Sequence, residues 1–175
     1  LDPRIAIFKQ SETYSFLNQL FFNEGQSLEQ MCQELVMSCE RVQEIIQHLN
    51  TNLPQHYGIS IQLSPLVMEG TEEDIRAFYL DYFSQSYDFL DWPFPSISEE
   101  SLTHLVQLFL DAQQVSPNLS SLRQIKYTLA INLERFNKRY LIKNPTPLLT
   151  SHYSSLMQIP QFEQNIKKLA KKLYF

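Results

Sequence analysis

Apolar residues recur at helical spacing in two blocks, separated by one short stretch that alternates. In "SETYSFLNQLFFNEG", Tyr14, Leu17, Leu20 and Phe21 fall on one side of a helix that Asn23-Glu24-Gly25 brings to a stop. Ser27 and Gln30 then form a capping-box pattern ahead of Leu28, Met31, Cys32 and Leu35, predicting a second helix. A three-residue turn, Val36-Met37-Ser38, leads to a third helix over Ser38 to Asn50, with Ser38 as N-cap and Val42, Ile45, Ile46 and Leu49 on the core side. Cys32, Leu35, Met37, Val42 and Ile45 match the hydrophobic spacing of a helix-turn-helix, although Val36 stands where the turn usually has Gly. An ordinary helical hairpin is the alternative. The next segment, "YGISIQLSPLVMEG", alternates Ile59, Ile61 and Leu63, turns at Ser64-Pro65 and returns through Leu66, Val67 and Met68. A β-hairpin directly after the third helix predicts a winged helix. Residues Leu1 to Phe8, with "RIAIF", fit an extra strand or an interdomain tail.

Beyond Gly70 the period is helical throughout. Thr71 is a good N-cap, and Glu72, Glu73 and Asp74 suit the positive end of a helix carrying Ile75, Phe78, Tyr79, Tyr82, Phe83 and Tyr87. That helix must end before Trp92-Pro93-Phe94-Pro95. Ser98 to Gln114 follows, with Leu102, Leu105, Val106, Phe109 and Ala112 on one side. Asn118 to Ile142 carries Leu122, Ile125, Leu129, Leu133 and Phe136, with a basic end at Arg135, Lys138, Arg139 and Lys143. A proline-bounded loop, "NPTPLLTSHYSSLMQ", has room for one short helix before a last helix over Pro160 to Tyr174. Its "KKLAKK" run reads as a solvated face. The fold class expected is therefore mainly α: a winged helix-turn-helix over 1–70, then an all-helical bundle over 71–175.

Composition sharpens this picture at a few points. Hydrophobic residues make up 43% and charged residues 19%, a globular balance, and only three Gly disfavour an architecture of many tight hairpins. Cys32 and Cys39 make neither a CxxC pair nor a metal set with the four scattered His, so they are expected as small buried thiols in a cytoplasmic protein. No apolar run reaches the length of a membrane span, and there is no signal-peptide pattern. A start at Leu1 rather than Met suggests a piece of a longer chain. No phosphate-binding loop, nucleophile elbow or HExxH occurs, so neither an enzyme nor a cofactor or metal site is expected.

Charge complicates the reading of the first half. Leu1 to Gly70 holds three basic residues against eight acidic ones, whereas Thr71 to Phe175 holds eleven of each. Phosphate contacts dominate affinity for DNA, so the half shaped like a DNA reader is poorly charged for binding alone. Its third helix nevertheless exposes types that read base edges. Arg41 suits guanine, Gln43 and Gln47 suit adenine, and Glu40 and Glu44 can accept from cytosine N4, with Ser38 at the helix start. Such a helix specifies sequence while binding weakly, and needs a dimer or a second DNA-binding unit for affinity. A protein-interaction or oligomerisation module whose winged helix never contacts DNA is the alternative.

Two segments carry a family resemblance: "LNTNLPQHYGISI" and "LVMEGTEEDIRAFYLDYFSQSYDFLDWPF". The LN-x-x-L…GI-x-I pattern, the G-x-E-x-x-IR-x-FY pattern and the closing WPF resemble the Mga family of Gram-positive regulators. The match runs from about Ser11 to Phe94; beyond that it rests on helix order. The resemblance implies a transcription regulator that binds double-stranded promoter DNA, with this piece holding a helix-turn-helix and a first domain similar to the phosphotransferase-system regulation domains (PRDs). It further implies a homodimer and a phosphocarrier protein as partner, acting on exposed histidines. His104, off the apolar side of its helix beside Gln107 and near Asp111, is the first candidate for phosphorylation, and His152 in "TSHYSS" the second. "SLTHLVQLF" departs from the sugar-antiterminator pattern, so the helical domain could equally keep only a dimerising role.

Overall fold

The computed structural model describes residues 11–87, 91–114 and 116–142, without the side chains at 112 and 113. The readings made above for residues 1–8, Ala112, Lys143, His152 and Pro160 to Tyr174 lie outside the described residues. The chain divides into two compact units, Leu1–Asp88 and Phe89–Phe175. Among the described residues it is mainly helical, with one two-stranded antiparallel hairpin.

In the first unit, α1 (Glu12–Phe22), α2 (Leu28–Leu35) and α3 (Cys39–Tyr57) precede the wing strands β1 (Ser60–Leu63) and β2 (Leu66–Glu69), and α4 (Glu72–Ser86) follows. Each helix starts on a side-chain cap. Ser11, Ser27, Ser38 and Thr71 accept from the backbone N–H three residues on, which satisfies donors that the first helical turn leaves without partners. At Ser27 the capping box is complete, because the Gln30 side chain accepts from the Ser27 N–H. The four helices and the wing share one core built on Phe16, Leu20, Phe21, Met31, Val42, Ile46, Ile59 and Leu66.

The helix α4 packs in this first unit, beyond the 70/71 division read from the sequence. Its Tyr79 and Phe83 rings meet Phe21 of α1 edge-on at 4.6 and 4.9 Å, and Phe78 meets Tyr57 of α3 at 5.3 Å. Offset and edge-on aromatic pairs of this kind each add about 0.5–1.5 kcal/mol beyond area burial. Tyr82 donates from its hydroxyl to the Tyr14 carbonyl at 3.0 Å, and Tyr57 to Asp81 at 2.8 Å. Burial, and for Tyr57 also the neighbouring Asp81 carboxylate, raises the pKa of both phenols.

The third helix corrects the expectation of an end at Asn50, since α3 runs on to Tyr57 with Pro54 inside it. Gly58, left-handed at φ 68°, stops it. Freed from terminating a helix, Asn50 does something else. Its side chain donates to the Ile61 carbonyl at 2.9 Å and accepts from the Ile61 N–H at 2.8 Å, clamping β1 to α3.

In the second unit, α5 (Glu99–Gln113) packs against α6 (Leu119–Asn137), and the segment before α5 folds into their core. Trp92, Phe94 and Tyr127 form a cluster of rings 5.1–5.9 Å apart, with the Trp92 indole donating to the Ile97 carbonyl at 2.7 Å. Two expectations change here. The helix predicted to reach Ile142 stops at Asn137, because Arg139 turns left-handed at φ 66° and the N–H groups of Arg139 and Tyr140 close back on Phe136 and Arg135. The face of α6 is also rotated. Tyr127, Ala130, Ile131, Glu134 and Arg135 are buried, whereas Leu122, Ile125, Leu129 and Leu133 are half-buried and Phe136 is 59% exposed. Ser96 hydrogen-bonds the Glu134 carboxylate, and the Arg135 guanidinium lies 4.4 Å from the centre of the Tyr140 ring, so charged groups fill positions that a stripe of leucines had suggested.

Candidate nucleic-acid interface

The turn between α2 and α3 positions the candidate reading helix. Val36 caps α2 in the left-handed conformation at φ 54°, with its N–H directed to the Cys32 and Gln33 carbonyls and the Met37 N–H bonding the Cys32 carbonyl at 3.0 Å. This is the backbone shape for which the turn usually keeps Gly, and a β-branched residue adopts it at a cost of roughly 1–2 kcal/mol. The Val36 side chain is 91% exposed and recovers none of that through packing. Ser38 then starts α3, accepting from the Arg41 N–H at 3.2 Å.

Cys32 and Cys39 are joined by a disulfide across this turn, with Cα atoms 5.5 Å apart. The expectation of two separate buried thiols is thereby corrected. The left-handed turn at Val36 folds the first residue of α3 back onto the last turn of α2, which linear spacing does not reveal.

Along α3, Val42, Ile45 and Ile46 are buried, while Ser38, Glu40, Arg41, Gln43, Glu44 and Gln47 are all exposed. They are not chemically independent. The Arg41 guanidinium donates to Glu12 of α1 at 2.6 Å and to Glu44 one turn along at 2.8 Å. Hydrogen bonds to Glu44 and then Glu12 raise the Arg41 pKa further. The lone cation of this face is therefore internally neutralised. Such solvent-facing ion pairs are weak and exchange readily for a phosphate or a base edge.

The wing is fixed on both edges. Ser60 pairs with Glu69, Ile61 with Met68, Gln62 with Val67 and Leu63 with Leu66, and a cis Ser64-Pro65 peptide makes the turn. On the far side of β2, the Gly25 N–H donates to the Leu66 carbonyl at 2.7 Å, the Leu66 N–H to the Gln26 carbonyl at 2.9 Å, and the Met68 N–H to the Glu24 carboxylate at 2.8 Å. Leu63, Ser64 and Pro65 at the wing tip are exposed. Residues 11–87 hold two basic residues, Arg41 and Arg76, against eleven acidic ones. Arg76 is paired with Glu72 at 2.8 Å.

In the second unit His104 is exposed on α5 and borders a shallow surface depression with Glu99, Glu100, Thr103 and Gln107. Gln107 donates to Asp111 at 2.7 Å, and Glu99 is held by the Lys126 ammonium at 2.5 Å. Among the described residues no cluster of His, Cys, Asp or Glu could hold a metal ion, and no helix is long and apolar enough to cross a membrane. Sequence reasoning missed Glu12 and Glu24, whose contacts span 29 and 44 residues and leave no local mark. Asn50 did leave one, as the second letter of the LN pattern.

The Mga helix-turn-helix domain matches residues 4–83. A trans-acting regulator of Streptococcus pneumoniae serotype 4 is 38% identical over 128 residues, which cover 73% of this chain and 26% of that protein. The capsule synthesis positive regulator AcpB of Bacillus anthracis is 24% identical over 137 residues, covering 78% of this chain and 28% of that one. The anthrax toxin expression trans-acting positive regulator of Bacillus anthracis is 26% identical over 174 residues, 89% of this chain and 36% of its own. The chain thus spans between about a quarter and a third of the length of these relatives.

Proposed function

The chain belongs to the Mga family through the helix-turn-helix domain of its first half, and we propose that it is part of a transcription regulator in which α3 enters the major groove of promoter DNA. The observation that carries this reading is the unbroken exposed face of Ser38, Glu40, Arg41, Gln43, Glu44 and Gln47 on a helix whose other side is locked into the core. Gln43 and Gln47, one turn apart, are suited to adenine, and the wing tip at Ser64-Pro65 is held beside the same unit to follow the backbone. Arg41 exchanges Glu12 and Glu44 for guanine or a phosphate on docking.

The acidic balance of residues 11–87 supports a reader that specifies more than it grips. Affinity is then shared between DNA-binding units and between the subunits of a homodimer. The second unit is the regulatory part of this proposal. Exposed His104 accepts a phosphoryl group from a phosphocarrier protein, which adds negative charge to the surface it shares with Glu99 and Glu100. No catalytic step is assigned to the chain, and its site of action is the cytoplasm, where promoter DNA lies.

One observation favours a second reading. A unit with eleven acids against two bases over residues 11–87 repels phosphate, so the winged helix could serve assembly with a protein partner instead. Substituting Arg41, Gln43 and Gln47 by Ala in the full-length regulator separates the two. Groove reading predicts loss of promoter binding with folding intact, whereas undiminished binding assigns the unit to assembly. Incubation with phosphoenolpyruvate, Enzyme I and the phosphocarrier protein should label His104, and a His104→Ala protein labelled as strongly as the parent rules that site out.

A further inference from the structure

The disulfide across the turn is placed where chemistry can open and close it. We infer that Cys32 and Cys39 are a reversible thiol–disulfide pair, with Cys39 the thiolate that reacts first and Cys32 the thiol that resolves it. Three features of the turn support this. The Cα separation of 5.5 Å lies in the range that permits a bridge without moving the backbone, so closure needs no rearrangement of α2 or α3. Cys39 is the first residue of a 19-residue helix, where free N–H groups and the helix dipole favour a thiolate. Cys32 sits in the last turn of α2, at the opposite pole, and is 5% exposed against the half-exposed Cys39. Glu40 next to Cys39 opposes the thiolate, while Arg41 is occupied by Glu12 and Glu44, so the helix terminus is the main activating influence.

The reaction balances with a low-molecular-weight disulfide as oxidant. The Cys39 thiolate attacks one sulfur of that disulfide and releases one small thiol, leaving a mixed disulfide on Cys39. Cys32 then attacks Cys39 Sγ, forms the intramolecular bond and releases the second small thiol. Reduction retraces the path, an external thiolate attacking Sγ of the half-exposed Cys39 and freeing Cys32. The bond joins the last turn of α2 to the first residue of α3, between Ser38 and Glu40 of the exposed face. That the redox state is felt at a promoter rests on the groove reading above; the thiol chemistry does not.

The test uses the intact chain, fully reduced, with oxidised glutathione as probe, followed by alkylation of remaining thiols and mass measurement. The parent protein should lose both alkylatable thiols and retain no glutathione. Cys32→Ser should accumulate one glutathione on Cys39, and Cys39→Ser should acquire it on Cys32 roughly tenfold more slowly or not at all. A parent protein that keeps two alkylatable thiols in excess probe, or one modified first at Cys32, overturns the inference; the parent measurement stands even where a serine variant misfolds. Reduction leaves the backbone in place but releases the turn from its crosslink, so α3 is less firmly held. In the full-length regulator, the oxidised and reduced forms should therefore differ several-fold in promoter binding. Equal binding, in a protein whose Gln43 and Gln47 substitutions do weaken it, overturns the coupling to DNA. If those substitutions have no effect, the groove reading fails instead.

Discussion

Replacing Asn50 by Ala removes the two hydrogen bonds that hold the wing to α3. The Asn50 amide is matched to Ile61 in both senses, giving a donor to its carbonyl at 2.9 Å and an acceptor to its N–H at 2.8 Å. Ile61 is 3% exposed and pairs through the strand register with Met68, and among the described residues no other strand serves its free edge. Each bond lost costs about 1 kcal/mol, and each backbone group left buried without a partner costs about 1–3 kcal/mol unless water reaches it. Because Asn50 is only half-buried, water can recover part of this, and the expected loss is about 2–4 kcal/mol. That is a large share of the stability of a small unit. The change should be measured by urea unfolding followed by far-ultraviolet circular dichroism. Fluorescence of Trp92, the single tryptophan, reports the second unit and not this one. The Ile61 amide should also lose hydrogen-exchange protection. Asn52→Ala is the control, since Asn52 bonds only the His48 carbonyl of its own helix at 3.2 Å, and it should change stability by less than about 0.5 kcal/mol. A loss below about 1 kcal/mol in Asn50→Ala, or equal losses in the two variants, would refute the clamp.

Other substitutions probe the backbone and the charge. A Cβ on Gly70 would lie 2.7 Å from Ile59 Cγ2 at φ 146°, so Gly70→Ala should cost about 2–4 kcal/mol in the same unfolding assay. Gly25→Ala, at φ 98° with nothing within 4 Å, should cost only the backbone strain, about 1–2 kcal/mol. Val36→Gly should stabilise by about 1 kcal/mol, because it relieves the left-handed valine and gives up an exposed side chain. Glu12→Gln loosens the hold on Arg41 and should tighten promoter binding by the full-length regulator at low salt, seen by fluorescence anisotropy. Arg41→Ala should lower the slope of log affinity against log salt by about one unit or less, since it removes one candidate phosphate contact.

The helices, caps and wing were legible because each is written locally. Ser27 with Gln30, Thr71 before three acids, and the alternation through Ile59 and Ile61 all act within a few residues. What escaped was set by distant partners. The length of α3 depended on Gly58 and on Asn50 being occupied by the wing, and Pro54, a breaker by propensity, is accommodated inside the helix. On α6, Tyr127 and the Glu134–Arg135 pair displaced the leucine stripe because Trp92, Phe94, Ser96 and Tyr140 supplied them with partners. For the candidate interface, the polar face of α3 followed from periodicity. Its tether through Glu12, and the meeting of Cys32 with Cys39, required the turn geometry at Val36.

Contact between α3 and a DNA groove can be read out by photo-crosslinking. A photoreactive phenylalanine analogue placed at position 43 in the full-length regulator, and at Gln85 on the exposed side of α4 as control, is irradiated with bound promoter DNA. With α3 in the groove, crosslinks from position 43 should be confined to a few adjacent bases, with none from position 85. Promoter-bound protein that crosslinks from neither position, or equally from both, contradicts that contact.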